Sequence, residues 1–386
     1  MPVEEAIATL KPVMTDWRQH LHANAETAFQ ERETAAFVAA RLREFGIEVH
    51  EGLAGTGVVG TLRNGDGPAI GLRADLDGLP ITEETGLPYA SKNAGRMHAC
   101  GHDGHTAMLL GAARYLARTR RFTGTVQFIF QPAEENEGGA QVMIEQGLFE
   151  RFPVRQVFGM HNWPAMPAGH FAVRAGPMMA ACDSFEIIVS GTGCHGAMPH
   201  FGFDAIVAAA AVVSALQTIV SRTIDPLEAA VVSVTQIHAG DTWNVLPARA
   251  VLKGTIRTFQ PAVRERIEAA LKRIAEGTAV AHGCRADVRA LRHYPATVNA
   301  EAETELAAAA AERVVGRERV FRNPPPTTGS EDFAFMLQAT PGCYIWIGSG
   351  RGSDDPSLHS PYYDFNDDIL PVGASYWAKL VETGLA

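Results

Sequence analysis

Three apolar runs in this chain each stop at acids or at a histidine, and a segment of helical spacing separates each from the next. The runs are "AIGLRADLDG" (69–78), "GTVQFIFQPAEE" (124–135) and "VRQVFGMHNWP" (154–164). They climb through Val, Ile, Leu and Phe, then meet Asp75, the pair Glu134–Glu135, and His161. Short runs rich in β-branched and aromatic residues read as buried strands. Residues 105–119 and 139–147, the latter closed by Gly147, carry the helical patterns between them. Strand, helix, strand, helix, strand is the order of a parallel sheet covered by helices. In such sheets ligands bind beyond the carboxyl ends of the strands. Chemistry is therefore expected where these three runs end.

The flanking segments fit the same class. Residues 4–22 read as a helix, and "ERETAAFVAARLREF" (31–45) as an amphipathic helix stopped by Gly46. "IEVHEG" reads as a strand. "GTGVVG" (55–60) matches a dinucleotide fingerprint, but that reading needs a helix next. The following "VVGTLRNGDG" is an apolar strand closed by an Asn64-Gly65 turn, so a hairpin is expected. Near residue 182 the order changes. "DSFEIIVSGTG", a helix at 203–219, "AAVVSVTQIHAG", "ARAVLKGTIRTF", a helix at 261–281 and "CRADVRALRHYP" make β-α-β-β-α-β, a split βαβ unit. Strand and helix patterns then resume with helix 301–315, the stiff loop "NPPPTTG", a helix from "SEDFAF", the strand "CYIWIGSG" and a final helix from about 371.

A chain of 386 residues exceeds one ordinary core. The expected architecture is a larger α/β domain, a mixed sheet flanked by helices, formed by 1–181 and 297–386. A smaller α+β, ferredoxin-like domain is inserted at 182–296. The net charge of −10, with no long basic run, argues against nucleic acid as a partner. The most apolar segment, "AIVAAAAVVSALQTIV" (205–220), is too short and too Ala-rich for a membrane span and reads as a buried helix. The opening "MPVEEAIATLKPVMTDW" lacks a secretory pattern. The five cysteines are widely spaced without C-x-x-C, which fits a reducing compartment. A cytoplasmic protein without membrane partners is expected.

Four clusters could carry chemistry: Cys100 and His102 in "MHACGHDGHTAMLLGAA", Glu134–Glu135 in "PAEEN", His161 in "GMHNWP", and His359 in "SLHSP". Singly, each has an ordinary structural explanation. Together, thiolate, imidazole and carboxylate form a donor set suited to Zn²⁺, Mn²⁺, Co²⁺ or Ni²⁺. Two such ions would suit amide hydrolysis. The C-G-H spacing lets two side chains share an ion more readily than it makes a nucleophile with its base. No G-x-S-x-G elbow points to a serine hydrolase. Adjacent glutamates on an extended segment face opposite ways, so one can bind metal while the other handles a proton. Asp103 is expected as a helix N-cap, and His98 and His105 stand beside Cys100 and His102 as either further ligands or supporting groups.

Read together, "GLRADLDGLPITEETGLPYAS", "GRMHACGHDGHTAMLLGAA", "FQPAEE", "GMHNWP", "CHGAMPH", "TTGSEDFAF" and "LHSPYYDFND" resemble the M20 metallopeptidase and amidohydrolase family, subfamily D, almost end to end. That group includes hippurate hydrolases, N-acyl-amino-acid amidohydrolases and plant auxin-conjugate hydrolases. The resemblance implies two divalent ions per subunit, Mn²⁺ or Zn²⁺ foremost, held by Cys100, His102, Glu135, His161 and His359. It implies Glu134 as general base and acid, and His195, in the inserted domain, as the group that polarises the scissile carbonyl. Asn244 falls where relatives contact substrate, and Arg257 is the candidate for pairing a substrate carboxylate. The implied activity is hydrolysis of small N-acyl amino acids by a homodimer or higher oligomer built through the inserted lid. The rivals are a dipeptidase or carboxypeptidase of the same family and a non-catalytic metal-binding interaction protein. The sequence departs from the broader family at Arg73, where a ligand histidine is usual, so Asp75 is expected to orient a ligand histidine rather than bind metal. It departs from the subfamily at Ala25 and Cys194, where Pro and Gly are usual.

Overall fold

The computed structural model describes residues 3–386. The chain divides into two compact units. The first holds the chain up to Met178 together with Thr297–Pro325 and Asp332–Ala386. The second holds Met179–Ala296 and Pro326–Glu331.

The first unit is built on an eight-stranded mixed sheet. Its spatial order is Glu48–Leu53, Gly57–Asn64, Gly124–Gln131, Ala69–Asp75, Gln156–Pro167, Gly342–Gly350, Phe171–Val173 and Val320–Arg322. The central strands Gly124–Gln131, Ala69–Asp75, Gln156–Pro167 and Gly342–Gly350 run parallel to one another. They are buried almost throughout, Gln156–Pro167 from Val157 to Asn162, as a sheet covered on both faces requires. Their unbroken Val, Ile, Leu and Phe runs are the sequence form of that burial. Helices Lys11–Ala23, Arg32–Glu44, His102–Thr119, Glu301–Val315 and Leu370–Gly384 contribute Met14, Val38, Leu110, Ala307 and Trp377 to the core. Each large apolar side chain removed from water there contributes about 1.5–3 kcal/mol.

The second unit is a four-stranded antiparallel sheet in the order Ala230–Ala239, Arg249–Thr258, Ala181–Ser190, Arg285–Tyr294. With helices Ala205–Leu216 and Pro261–Ala281 it has the expected β-α-β-β-α-β order. Along Ala181–Ser190 every second residue is buried, so Phe185, Ile187 and Val189 face Val212, Leu216, Ile267 and Leu271 in one core. Asp204 caps the first helix, its Oδ1 accepting the N–H groups of Ile206 (2.8 Å) and Val207 (3.0 Å).

Several expectations are corrected. The single helix at 4–22 is two helices, Val3–Ala8 and Lys11–Ala23. Pro12 lacks an N–H, and its ring would clash with the preceding turn. The expected hairpin lies before "VVGTLRN", joining Glu48–Leu53 to Gly57–Asn64, and not at Asn64-Gly65, beyond which Ala69–Asp75 pairs with Gly124–Gln131 instead. The Ala-rich helix buries only one stripe, Ala205, Ala208, Ala209, Val212 and Leu216, and exposes Ile206 and Val207. It gives way to a wider helical turn at Ile219–Thr223. Among the described residues no helix is long and apolar enough to cross a membrane.

Candidate metal centre

The parallel strands of the first unit bring the three polar run-ends together. Ala69–Asp75 ends at Asp75 itself, Gly124–Gln131 ends three residues before Glu134, and His161 lies within Gln156–Pro167. The fourth edge is the start of helix His102–Thr119. Gly101 caps it in a left-handed conformation, φ 93°. A Cβ at this position would sit 2.3 Å from Asn162 Oδ1, so both the turn and the packing require glycine. That turn aims Cys100 and His102 at the same space. Asp103 is therefore inside the helix, not its N-cap. It accepts the Gly104 N–H at 2.9 Å, and its other oxygen lies 2.8 Å from His22 Nδ1.

The donor atoms converge. Cys100 Sγ is 3.3 Å from His161 Nε2, and the other ring nitrogen of His161 donates to the Asn162 carbonyl at 2.7 Å. His102 Nδ1 donates to the Asp77 carbonyl at 2.8 Å, which leaves Nε2 facing inward, buried and without a hydrogen-bond partner. Glu135 Oε1 is buried and likewise lacks a hydrogen bond. His359 Nε2 approaches it to 3.1 Å, but without hydrogen-bond alignment. His359 itself sits in a left-handed loop conformation (φ 65°), anchored by its N–H to the Ala99 carbonyl at 2.8 Å. Among the described residues five donor sets have their ligand atoms within 4.8 Å of one another, and three of them are built from the expected ligands and Glu134: Cys100–His102–His161, Cys100–Glu135–His359 and His102–Glu134–Glu135. Cys100 belongs to two of them. The structure thus gathers all five expected ligands and Glu134.

The electrostatics favour a cation. Burial alone would lower His102, but Asp75, Asp77 and Glu135 pull it up to about 10. Burial, together with Glu135, Glu134 and Asp75, pushes the Cys100 thiol well above its ordinary value. Burial and then His105 hold His161 well below its usual value, neutral and able to donate a lone pair. Two inward-facing orphan atoms, two imidazoles each tied to a carbonyl through the other nitrogen, and S, N and O donors together fit divalent ions of the zinc or manganese type.

Asp75 does orient a histidine, but the histidine is His105. Its Oδ1 lies 2.6 Å from His105 Nδ1 and its Oδ2 accepts from Arg73 Nη1 at 2.7 Å. His105 Nε2 is engaged by Asn162, so neither ring nitrogen is left for a metal. Burial would raise Asp75, yet His102, His105 and Arg73 hold it well below the usual carboxylate range. Arg73 is fully buried and also donates to Gln131 (2.8 Å) and Asp332 (3.1 Å). The group that orients His102 is Asp77, which sequence reasoning missed. Its carboxylate also accepts the backbone N–H groups of Glu134 (3.1 Å) and Glu135 (3.0 Å). The only signal was the second acid of "RADLD". His98 belongs to none of the donor sets. Both its ring nitrogens lack partners, and burial lowers it to about 4.

In the second unit, His195 and Asn244 are neighbours. Cys194–His195 pairs with Val245–Leu246, the Gly196 N–H donates to the Asn244 carbonyl at 2.8 Å, and both side chains are exposed. Arg257 lies near the other end of Arg249–Thr258, opposite Cys182, and Nη1 donates to Thr255 Oγ1 and to the Ile256 carbonyl at 3.1 Å.

Beside the centre, His22 is enclosed by Asp103 at 2.8 Å and Glu83 at 3.3 Å. Burial lowers its pKa, but the two carboxylates overcome this and raise it to about 9. A raised histidine stabilises the fold fully below its unfolded pKa of about 6.5, and that contribution is lost as pH rises through the folded value. The His22→Gln penalty, read from urea unfolding, is expected to be about 3 kcal/mol larger at pH 6 than at pH 10. Equal penalties at both pH values would contradict the assignment.

Residues 71–383 match peptidase family M20/M25/M40. The chain is 42% identical over 364 residues to a hippurate hydrolase of Campylobacter jejuni, covering 94% of each chain. It is 40% identical over 370 residues to an N-acetylcysteine deacetylase of Bacillus subtilis, covering 95% of each. The crystal structure of a dinuclear metal-binding M20 peptidase of Bacillus subtilis superposes with a TM-score of 0.86 at 37% identity, covering 98% of this chain and 99% of that one.

Proposed function

The chain belongs to peptidase family M20/M25/M40, and we propose that it hydrolyses the amide bond of small N-acyl amino acids at a site for two divalent ions. The observation that carries this reading is the convergence of Cys100, His102, Glu135, His161 and His359 around two buried donor atoms without hydrogen-bond partners, with Glu134 beside them. The two relatives act, by their names, on hippurate and on N-acetylcysteine, both N-acyl amino acids.

Cys100, His102, Glu135, His161 and His359 would hold the ions. When bound, such ions supply Lewis acidity toward the amide carbonyl and make water acidic enough to ionise near neutral pH. The remaining work falls to the chain. Asp77 fixes the backbone at Glu134 and Glu135 through both N–H groups, so both carboxylates leave one anchored turn, and the opposite facing expected of an extended segment is not found: their oxygens share one donor set with His102. Glu135 turns toward His359. Glu134 stays among the His102 and Glu135 donor atoms, with its Oε1 accepting the Asp332 N–H at 3.4 Å. Its carboxylate accepts the proton of the attacking water and returns it to the departing nitrogen. His195 is assigned to the developing oxyanion, Asn244 to the substrate and Arg257 to its carboxylate, whose shape a guanidinium matches. A homodimer through the second unit and a cytoplasmic location complete the proposal.

The test is a panel with Mn²⁺ or Zn²⁺ present: hippurate, N-acetyl and indolyl-acetyl amino acids against dipeptides with a free amine, scored for released amino acid. The N-acyl compounds are expected to be cleaved with the higher kcat/KM. Preference for the dipeptides, or release from neither class, would overturn the reading.

A further inference from the structure

We propose that Glu31 is a positioning residue for Glu134, acting through the backbone of Ala133. Glu31 is fully buried. Its Oε1 accepts the N–H groups of Ala133 at 2.9 Å and Phe29 at 3.0 Å, and its Oε2 accepts the Thr56 hydroxyl at 2.7 Å. It makes no ion pair with a basic side chain among the described residues. A carboxylate buried without a counter-cation is costly unless hydrogen bonds satisfy it, and here those bonds go to neutral donors.

Ala133 needs such an anchor. Its φ is 54°, a left-handed conformation that disfavours a residue with a Cβ by about 1–2 kcal/mol. Its carbonyl accepts the Gly139 N–H at 2.8 Å, and its N–H is held by Glu31. The next two N–H groups, of Glu134 and Glu135, go to Asp77. Three successive amides are therefore held by the oxygens of two buried acidic side chains. Asp77 couples this turn to His102, a ligand. Glu31 touches no ligand side chain. Its contribution is the left-handed step that sets the direction in which the Glu134 side chain leaves the backbone.

This inference rests on Glu134 being the base. Glu31→Leu, which keeps bulk but removes the acceptors, and Glu31→Ala are each expected to lower kcat by about 10–100-fold, the scale of lost outer-shell support. KM and bound metal, measured by elemental mass spectrometry, should stay at the wild-type level. Glu31→Gln is expected to rescue kcat. Its carbonyl can accept from Ala133 and Phe29, and its amide can donate to the Thr56 hydroxyl. In a Glu134→Gln background, Glu31→Leu should cost less than twofold, because residues that act as one unit are not additive. Metal loss, failure of both Leu and Ala variants to fold, no rescue by Gln, or the same fold-loss in both backgrounds would overturn the inference. Wild-type turnover in Glu134→Gln alone would instead sink the base reading on which it rests.

Discussion

Replacing Glu134 with glutamine should lower kcat by about 10²–10⁴-fold, the range a positioned general base contributes, while the protein keeps its metal. The substitution is nearly isosteric. Asp77 holds the backbone at residue 134 whatever the side chain, and an amide oxygen can still accept the Asp332 N–H. The ligand set Cys100, His102, Glu135, His161 and His359 is untouched. Only the capacity to take a proton disappears. Turnover and metal content measured on the same preparation decide the matter. Normal turnover would remove Glu134 from the base role, and parallel loss of metal would make it a ligand.

Cys100→Ala should give the opposite signature. Its sulfur belongs to two of the overlapping donor sets, so its loss weakens both. Removing a group one shell outside a metal typically costs 10–100-fold in affinity, and removing a ligand should cost at least about as much. Activity should fall with metal content and recover partly at high Mn²⁺ or Zn²⁺. The contact of Cys100 Sγ with His161 Nε2, 3.3 Å, is also what a thiol nucleophile and its base would show. The surroundings argue against that rival. Burial and three nearby carboxylates disfavour a free thiolate in the absence of a bound cation, whereas a catalytic cysteine is normally activated by positive neighbours. If Cys100→Ala retains full metal while losing turnover, and the wild type accumulates an acyl-thioester, the nucleophile reading wins.

Much of this is legible in the sequence alone. Buried parallel strands need long apolar runs, so the runs ending at Asp75 and Glu134 announced both the sheet and the place of the site. The C-G-H triplet could be read because glycine permits the left-handed turn at residue 101. Groups whose role depends on chain approach from elsewhere were hidden. Asp77 and Glu31 work by accepting backbone N–H groups 57 to 102 residues further along the chain, and no local pattern encodes that pairing. The role of Asp75 was half legible. An acid serving a histidine was expected, but which histidine is a matter of packing around Asn162. The apolar run predicts a strand end at His161, whereas the strand continues to Pro167, because pairing with Gly342–Gly350 carries it past the site. The association of Pro326–Glu331 with the second unit had no sequence signal at all.

The central claim is that this cluster hydrolyses N-acyl amino acids through bound divalent ions. The most direct measurement follows amine release from hippurate and N-acetyl amino acids by the purified protein, after exhaustive chelation and during titration with Mn²⁺ or Zn²⁺, with bound metal counted by mass spectrometry. The account predicts no release from the chelated protein, and recovery that tracks metal uptake and saturates at two ions per chain. Undiminished release from metal-free protein would contradict it.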